Sequence, residues 1–151
     1  MLNRFCRFSR AMSQIDRCWH KLASKEMAKY GLKSAHALYL TTLLSFAEGI
    51  TAAKLAEVCC KNKADVSRRI TQLERKGLVT KVDSGAKRYR ARLLLTEAGK
   101  LAAEHVQQRT DVAVDLAGSG MAEEERKVFY RCLELITANL QNLSKKGLPQ
   151  G

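Results

Sequence analysis

Proline is almost absent from this sequence, with Pro149 the only one among 151 residues. Because proline breaks helices, its scarcity, together with many Ala, Leu, Lys and Glu residues, favours long helices. Apolar runs such as Leu93-Leu94-Leu95 are too short to cross a bilayer, so no membrane segment is expected. The length suits one domain, residues 1–151, with a core of its own.

The sequence also lacks the usual arrangements of cysteine and catalytic residues. Five cysteines are an odd number and include no Cys-x-x-Cys pair, which favours a reducing cytoplasm over a disulfide framework or a zinc ribbon. No Ser/His/Asp set, carboxylate pair or phosphate-binding loop is present, so we expect no enzyme and no cofactor. Metal binding by His20, His36 and His105 is an alternative, although the three lack ligand spacing.

Acidic residues are fewer than basic ones, and the imbalance is concentrated in particular segments of the chain. The chain carries 27 Lys and Arg against 15 Asp and Glu, for a net charge of +12. Residues 54–92 hold 12 basic and 4 acidic groups, residues 1–33 hold 8 and 2, and residues 93–151 hold 7 and 8. A basic segment inside a balanced scaffold is typical of nucleic-acid binding, so double-stranded DNA is the expected partner.

The N-terminus admits two interpretations. Three arginines and no acid in the first ten residues resemble an organelle transit peptide. However, apolar residues follow one another at intervals of three and four, the spacing of a helical seam. These residues are Phe5, Phe8, Met12, Ile15, Trp19 and Leu22. We therefore predict a helix from about residue 3 to Tyr30, ending at Gly31.

Capping residues and periodicity predict the remaining elements. Ser34, Thr51 and Asn62 are suitable N-caps for three helices, and an alternating pattern after Gly77 indicates a hairpin. The predicted ranges are a helix from 34 to about 47, helices 52–59 and 63–76, strands 78–82 and 87–95, and helices 97–117 and 123–146. This order is a winged helix–turn–helix over 34–96, mainly α with a small β-hairpin wing, flanked by N- and C-terminal dimerisation helices at 1–33 and 97–146.

The helix at 63–76 has the features of a recognition helix. Val66, Ile70 and Leu73 define its inward face, and small, polar and basic side chains occupy the opposite face. There Arg68 suits guanine, and Thr71 or Gln72 suits adenine or a thymine methyl. The predicted DNA-binding residues are Lys61, Lys63, Ala64, Ser67, Arg68, Thr71, Gln72, Arg75, Arg88 and Arg90, with Lys76 a further phosphate contact. A merely solvated basic face is the alternative.

Three stretches of this sequence resemble the MarR family of bacterial regulators. They are Ile50–Glu57, Ala64–Val79 and Leu95-Thr96-Glu97-Ala98-Gly99. The resemblance implies a homodimer with interlocking terminal helices, which binds a pseudo-palindromic operator and usually represses. It also implies that Ser67 and Arg68 enter the major groove and that the wing reaches the minor groove. The family's Asp-x-Arg in the wing is replaced by Lys87-Arg88-Tyr89, which makes Arg88 and Arg90 the candidate wing contacts.

The same resemblance suggests how binding would be switched. It implies release by a small apolar ligand, for which Trp19, His20, His36 and Tyr39, with His105, are candidates; packing in the core is the alternative for each. A redox branch of the family uses a cysteine near the start of the first helix. Cys6 has that place among arginines, which lower a thiol pKa, although a structural thiol is the alternative. Rival functions are an architectural DNA-binding protein without a ligand switch and a protein–protein adaptor.

Overall fold

The computed structural model describes residues 1–83 and 91–151. Their elements, in chain order, are α1 (Arg4–Ala28), α2 (His36–Leu44), β1 (Ile50–Thr51), α3 (Ala52–Cys59), α4 (Lys63–Arg75), β2 (Val79–Val82), β3 (Arg92–Leu95), α5 (Glu97–Ala117) and α6 (Glu123–Lys146). The chain divides into two compact units, residues 1–110 and residues 111–151. Across the described ranges, no helix is long and apolar enough to cross a membrane. The mainly helical fold with its small sheet is confirmed.

Local capping explains where most of these helices begin. The side chains of Asn3, Thr51 and Asn62 accept the backbone N–H of the residue three positions later, which satisfies one free donor in each first turn. Ser34 does not act in this way, contrary to the prediction. The helix α2 starts two residues later, after Ala35, and the Ser34 hydroxyl lies 3.0 Å from His20 Nδ1 instead.

The sheet has three antiparallel strands in the order β1-β3-β2. Ile50 pairs with Leu93, and Val79 pairs with Leu95. The predicted two-stranded hairpin was therefore incomplete, because a two-residue strand is too short to show an alternating pattern. Within the described chain β3 begins at Arg92, and residues 84–90 of the predicted turn and returning strand lie outside the described residues.

The core of the first unit lies where α2, α3 and α4 meet the sheet. Val66, Ile70 and Leu73 are each at most 2% exposed, so the predicted inward face of α4 is confirmed. Tyr39 and Leu40 of α2 are fully buried against it. Burial of these large side chains fixes the rotation of α4 about its own axis, and the face opposite Val66 and Ile70 is left to solvent.

The Leu-Thr-Glu-Ala-Gly stretch joins the sheet to α5 through dense contacts. Thr96 Oγ1 donates to the Gly77 carbonyl at 2.6 Å and accepts the Gly99 N–H at 3.0 Å, while the Thr96 N–H donates to the Leu78 carbonyl at 3.0 Å. A Cβ on Gly99 would lie 1.9 Å from the Leu78 carbonyl oxygen. Only glycine allows this approach, which fixes the first turn of α5 against the connection between α4 and β2.

The second unit is dominated by α6. Its first turn carries three glutamates, whose charge suits the positive end of the helix dipole. Arg126 reaches back to the Gly118 carbonyl at 3.3 Å and to Asp115 at 3.5 Å. None of the residues of α6 is buried, although the helix carries Phe129, Leu135 and Ile136. The helix therefore keeps an apolar face uncovered within its own unit.

Candidate nucleic-acid interface

The helix α4 presents most of the predicted DNA-binding side chains to solvent. Lys63, Ala64, Ser67, Arg68 and Arg75 are exposed, as is Lys61, which precedes the helix. Thr71 and Gln72 are half-buried. The exposed set alternates with the buried Val66 and Ile70, so one helix can pack on the core and still offer a continuous basic and polar face. This face has the composition that a helix entering a major groove requires.

Asp65 connects this face to the core. The Tyr39 hydroxyl donates to Asp65 Oδ2 at 2.5 Å, while Arg68 Nη2 donates to Asp65 Oδ1 at 3.0 Å. Arg69 Nε lies 3.5 Å from the same Oδ1 atom. The Tyr39 hydrogen bond, followed by the Arg68 bond and the charges of the two arginines, lowers the pKa of Asp65. The carboxylate thus stays ionised and holds Arg68 at the surface of α4.

Sequence reasoning missed this role of Asp65. Its position three residues after Asn62 indicated a capping box, in which the acidic side chain would reach back to the cap. Only half of that motif forms, since Asn62 Oδ1 accepts the Asp65 N–H at 2.7 Å while the carboxylate turns to Tyr39. Tyr39 is 26 residues away in the chain, so no local pattern could have revealed the contact.

Two of the predicted base-reading residues already have partners inside the chain. Thr71 Oγ1 donates to the Ser67 carbonyl at 2.8 Å, one turn earlier in α4. Gln72 Oε1 lies 2.8 Å from Nε2 of the buried His36 on α2. Burial lowers the pKa of His36, which favours its neutral form. Base contacts by Thr71 and Gln72 remain predictions. The Gln72 side-chain oxygen already contacts the buried His36.

The predicted wing contacts, Arg88 and Arg90, lie outside the described residues, as do Lys87 and Tyr89. The third arginine of that predicted strand face, Arg92, is exposed and donates to the carbonyl oxygens of Glu48 and Gly49 at 3.3 and 3.4 Å. Arg92 therefore supports the connection into β1, a role that its alternation with Leu93 did not indicate.

The four predicted ligand-pocket residues do not share one depression. Trp19, His20 and Lys61 are among the residues that line a depression of about 420 Å³ in the first unit. His36 lines a different depression of about 240 Å³, beside Gln72. Tyr39 is fully buried and lines neither one. His105 lies elsewhere, 3.7 Å from Glu26.

The structure describes the surroundings of the candidate redox cysteine and of the residues considered for the alternative metal site. Cys6 is exposed at the start of α1, where its N–H donates to Asn3 Oδ1 at 2.8 Å. Cys59 is buried, which raises the pKa of its thiol. Within residues 1–83 and 91–151, no three His, Cys, Asp or Glu side chains are grouped so as to hold a metal ion.

Known sequences and structures match this chain. The sequence model of the MarR family matches residues 30–88. An uncharacterized HTH-type transcriptional regulator of Bacillus subtilis, YybA, is 24% identical over 132 residues, covering 87% of each chain. The matched family segment contains α2, α3, α4 and β2, the part that carries the exposed basic face.

Solved structures extend the likeness to the whole fold. A MarR family transcriptional regulator from Listeria monocytogenes, solved with a 26mer DNA, has a TM-score of 0.83 and 21% identity, covering 100% of this chain and 99% of that one. The S. aureus MepR–DNA complex has a TM-score of 0.76 and 19% identity, covering 88% and 97%. At these identities the likeness establishes the fold, including its flanking helices.

Proposed function

Because residues 30–88 match the MarR family model, we propose that this chain is a member of that family and a transcriptional regulator that binds double-stranded DNA in a sequence-specific manner through α4. The observation that carries this proposal is the position of Arg68. Its guanidinium is held by Asp65 on the exposed face of α4, and the side chain remains 61% exposed. An arginine fixed in this way on a helix that fits the major groove suits bidentate binding to guanine.

We further propose that the binding unit is a homodimer. Both units expose apolar side chains that a single copy leaves in water. The exposed residues on α1 include Phe5, Phe8 and Ile15, and those on α6 include Val128, Leu135 and Leu140. Contiguous apolar patches of this kind mark interaction surfaces. A two-fold symmetric dimer would present two copies of α4 and would require a pseudo-palindromic site.

The regulator is proposed to act as a repressor in the cytoplasm, without enzymatic activity, and to be released by a small effector. The depression beside Trp19 and His20 supports the effector role. Its lining combines the Trp19 ring, Leu38 and three alanines with a larger number of polar and charged side chains, so a ligand there would contact both kinds of group. Lys61, one of its lining residues, precedes α4 by two residues, so a ligand there would contact the segment that leads into this helix.

Selection of bound duplexes from a random DNA pool tests the proposal. We expect enrichment of a pseudo-palindrome whose half-sites lie about one helical turn apart, roughly 10 base pairs centre to centre. Enrichment of one half-site alone would contradict the dimer, and retention of DNA without any shared sequence would contradict the specific regulator. Repeating the selection after peroxide treatment tests Cys6, because oxidation of that thiol should release the DNA if it is a sensor.

The net charge of +12 favours one alternative function, an architectural DNA-binding protein without a ligand switch. Such a protein gains its affinity from phosphate neutralisation, so its binding constant falls steeply with salt and changes little with sequence. Competition between the selected duplex and a scrambled duplex of the same length separates the two functions. A specific regulator should prefer the selected duplex by about 10³-fold or more.

A further inference from the structure

A basic depression of about 240 Å³ lies beside the C-terminal part of α4. Lys33 comes from the connection between α1 and α2, and Gln72, Arg75 and Lys76 come from α4 and its C-cap. The lining holds three cationic side chains and no acidic one. Among the residues that the structure describes, no carboxylate lies within 4.0 Å of the cationic nitrogens of these three. Three neighbouring cations without a counter-charge form a site suited to an anion.

The hydrogen bonds of His36 determine which end of Gln72 faces this depression. His36 Nδ1 lies 3.0 Å from the backbone nitrogen of Lys33 and 3.1 Å from its carbonyl oxygen, so these two contacts alone fit either tautomer. Nε2 lies 2.8 Å from Gln72 Oε1, and because this oxygen can only accept, the ring hydrogen of the neutral His36 lies on Nε2. With its oxygen turned to His36, the Gln72 carboxamide has its NH2 group left for a ligand. The depression therefore offers donors from Gln72 as well as from the three cations.

The backbone around the depression accommodates Lys76 and pairs two carbonyls at the C-terminal end of α4, which is the negative end of the helix dipole. Lys76 Nζ lies so close to Gly31 that a Cβ there would be 2.6 Å away, and Gly31 has a φ of +66°. Because Gly31 has no side chain, the Lys76 ammonium group can lie directly against the Gly31 backbone. At the end of α4, the carbonyls of Leu73 and Glu74 would repel an anion if left free. They accept instead the N–H groups of Leu78 and Gly77 at 3.0 and 2.9 Å.

We propose that Lys33, Gln72, Arg75 and Lys76 form an oxyanion site that binds one phosphate group, and that His36 is its positioning residue. The phosphate is either a phosphodiester of the bound DNA, in which case the site rests on the proposed function, or the phosphate of a small molecule. The site assigns Gln72 to phosphate binding, whereas its sequence position suggested base reading. It also adds Lys33, which no motif indicated.

The first experiment uses inorganic phosphate as the probe and needs no DNA. The backbone amide resonance of Gly31, inside the site, is followed while phosphate replaces chloride at constant ionic strength. We expect a saturable shift. Gln72→Glu keeps an oxygen for His36 but replaces the NH2 donor with a carboxylate, so it should weaken phosphate binding roughly tenfold or more. Lys33→Gln should weaken it in the same direction, and Lys100→Gln, a lysine on α5 outside the site, should have no effect.

The second experiment measures how duplex affinity depends on salt. Removing one phosphate contact lowers the slope of log K against log salt concentration by about 0.9. Because the site binds one phosphate, Lys33→Gln and Lys76→Gln should each flatten the slope by up to this amount per bound chain, without changing the preferred sequence. Lys100→Gln should leave the slope unchanged. Gln72→Glu should weaken binding to all sequences alike, whereas a base-reading Gln72 would change the preference at one base pair.

The outcomes separate the two sources of phosphate from each other and from failure. A changed slope in the site variants supports a DNA phosphodiester, and a saturable Gly31 shift without any slope change supports a small-molecule phosphate. The proposal is overturned if neither quantity responds, if Lys100→Gln acts as strongly as Lys33→Gln, or if Gln72→Glu only alters base preference. Absence of DNA binding by the unaltered protein would refute the proposed function, while the phosphate titration would still decide the site.

Discussion

Tyr39 and Asp65 are joined by a hydrogen bond of 2.5 Å between the phenol oxygen and Oδ2. Tyr39, on α2, is fully buried. Asp65 lies in the first turn of α4 and also accepts a hydrogen bond from Arg68. A chain of two contacts thus runs from the hydrophobic core to the exposed arginine of the recognition helix. Because Tyr39 is packed in the core, the position of Arg68 depends on how α2 packs as well as on α4.

Tyr39→Phe should lower the free energy of unfolding by about 1.5–3 kcal/mol, because it removes a hydrogen bond to a charged acceptor. The pKa of Asp65 should rise toward its ordinary value, since that bond is the largest cause of its depression. Urea denaturation measures the first effect and NMR titration the second. Tyr130→Phe, an exposed tyrosine on α6, serves as the control. An unchanged Asp65 pKa would contradict the contact.

Arg68→Ala should weaken binding to the selected duplex by about 1–3 kcal/mol and relax the preference at one base position in each half-site. The weaker binding follows from removing one bidentate contact to guanine while leaving the fold intact. Fluorescence anisotropy against the selected duplex and its single-base variants measures both quantities. Arg109→Ala, an exposed arginine on α5 that pairs with Glu26, should leave base preference unchanged. Unaltered affinity and preference in Arg68→Ala would refute the recognition-helix assignment.

The stability of the protein should fall with acidification through the titration of His36. Burial lowers the pKa of His36 in the folded state below the 6.5 of a free histidine. The unfolded chain therefore binds the proton more readily, so stability is full above pH 6.5 and is lost as pH falls through the folded pKa. Unfolding free energies measured across this range should show the decline, and His36→Gln should remove it. His20→Gln, at an exposed histidine, should leave the decline in place.

Gly99→Ala should destabilise the protein by about 1–3 kcal/mol, as overpacking of a close contact does. The added Cβ would lie 1.9 Å from the Leu78 carbonyl oxygen, so α5 or the Leu78 backbone must move. Thermal unfolding of Gly99→Ala beside Ala98→Ser, at the exposed neighbouring position, measures the difference. Equal stability of the two variants would show that the α5 junction can relax without cost.

Leu135→Glu should convert a dimer into a monomer. Leu135 lies on α6 and is 60% exposed, and a charge on a proposed subunit interface would remain buried without a partner. Analytical ultracentrifugation should give twice the chain mass of 16.9 kDa for the unaltered protein and that mass for the variant. Leu148→Glu, beyond the end of α6 and 80% exposed, should remain a dimer. A monomeric unaltered protein would remove the dimer from the proposed function.

Local signals in the sequence were sufficient for most helix boundaries. Asn62 and Thr51 mark helix starts through contacts three residues away, and the glycines after α1 and α4 have positive φ, as expected of helix ends. The same locality explains the failures. Ser34 has the right residue type for a cap, but His20, 14 residues away, engages its hydroxyl. A cap can be predicted from neighbours only when no distant partner competes.

The residue composition of the candidate site was predictable from the sequence, but the hydrogen-bond partners of its side chains were not. The basic and small residues on the exposed face of α4 follow from helical periodicity around Val66 and Ile70. The partners of Asp65 and Gln72 do not, because Tyr39 and His36 lie 26 and 36 residues away and meet α4 only after α2 packs. The orientation of the Gln72 amide depends further on the tautomer of His36, which no sequence pattern encodes.

The contacts of Thr96 with Gly77 and Leu78 have a mechanical consequence. They join the segment that follows α4 directly to the first turn of α5, since Thr96 bonds to both carbonyls and Gly99 fits against the second. The end of α4 and the start of α5 are therefore coupled through these contacts. A small rotation imposed on the start of α5 would act on the end of α4 through these hydrogen bonds.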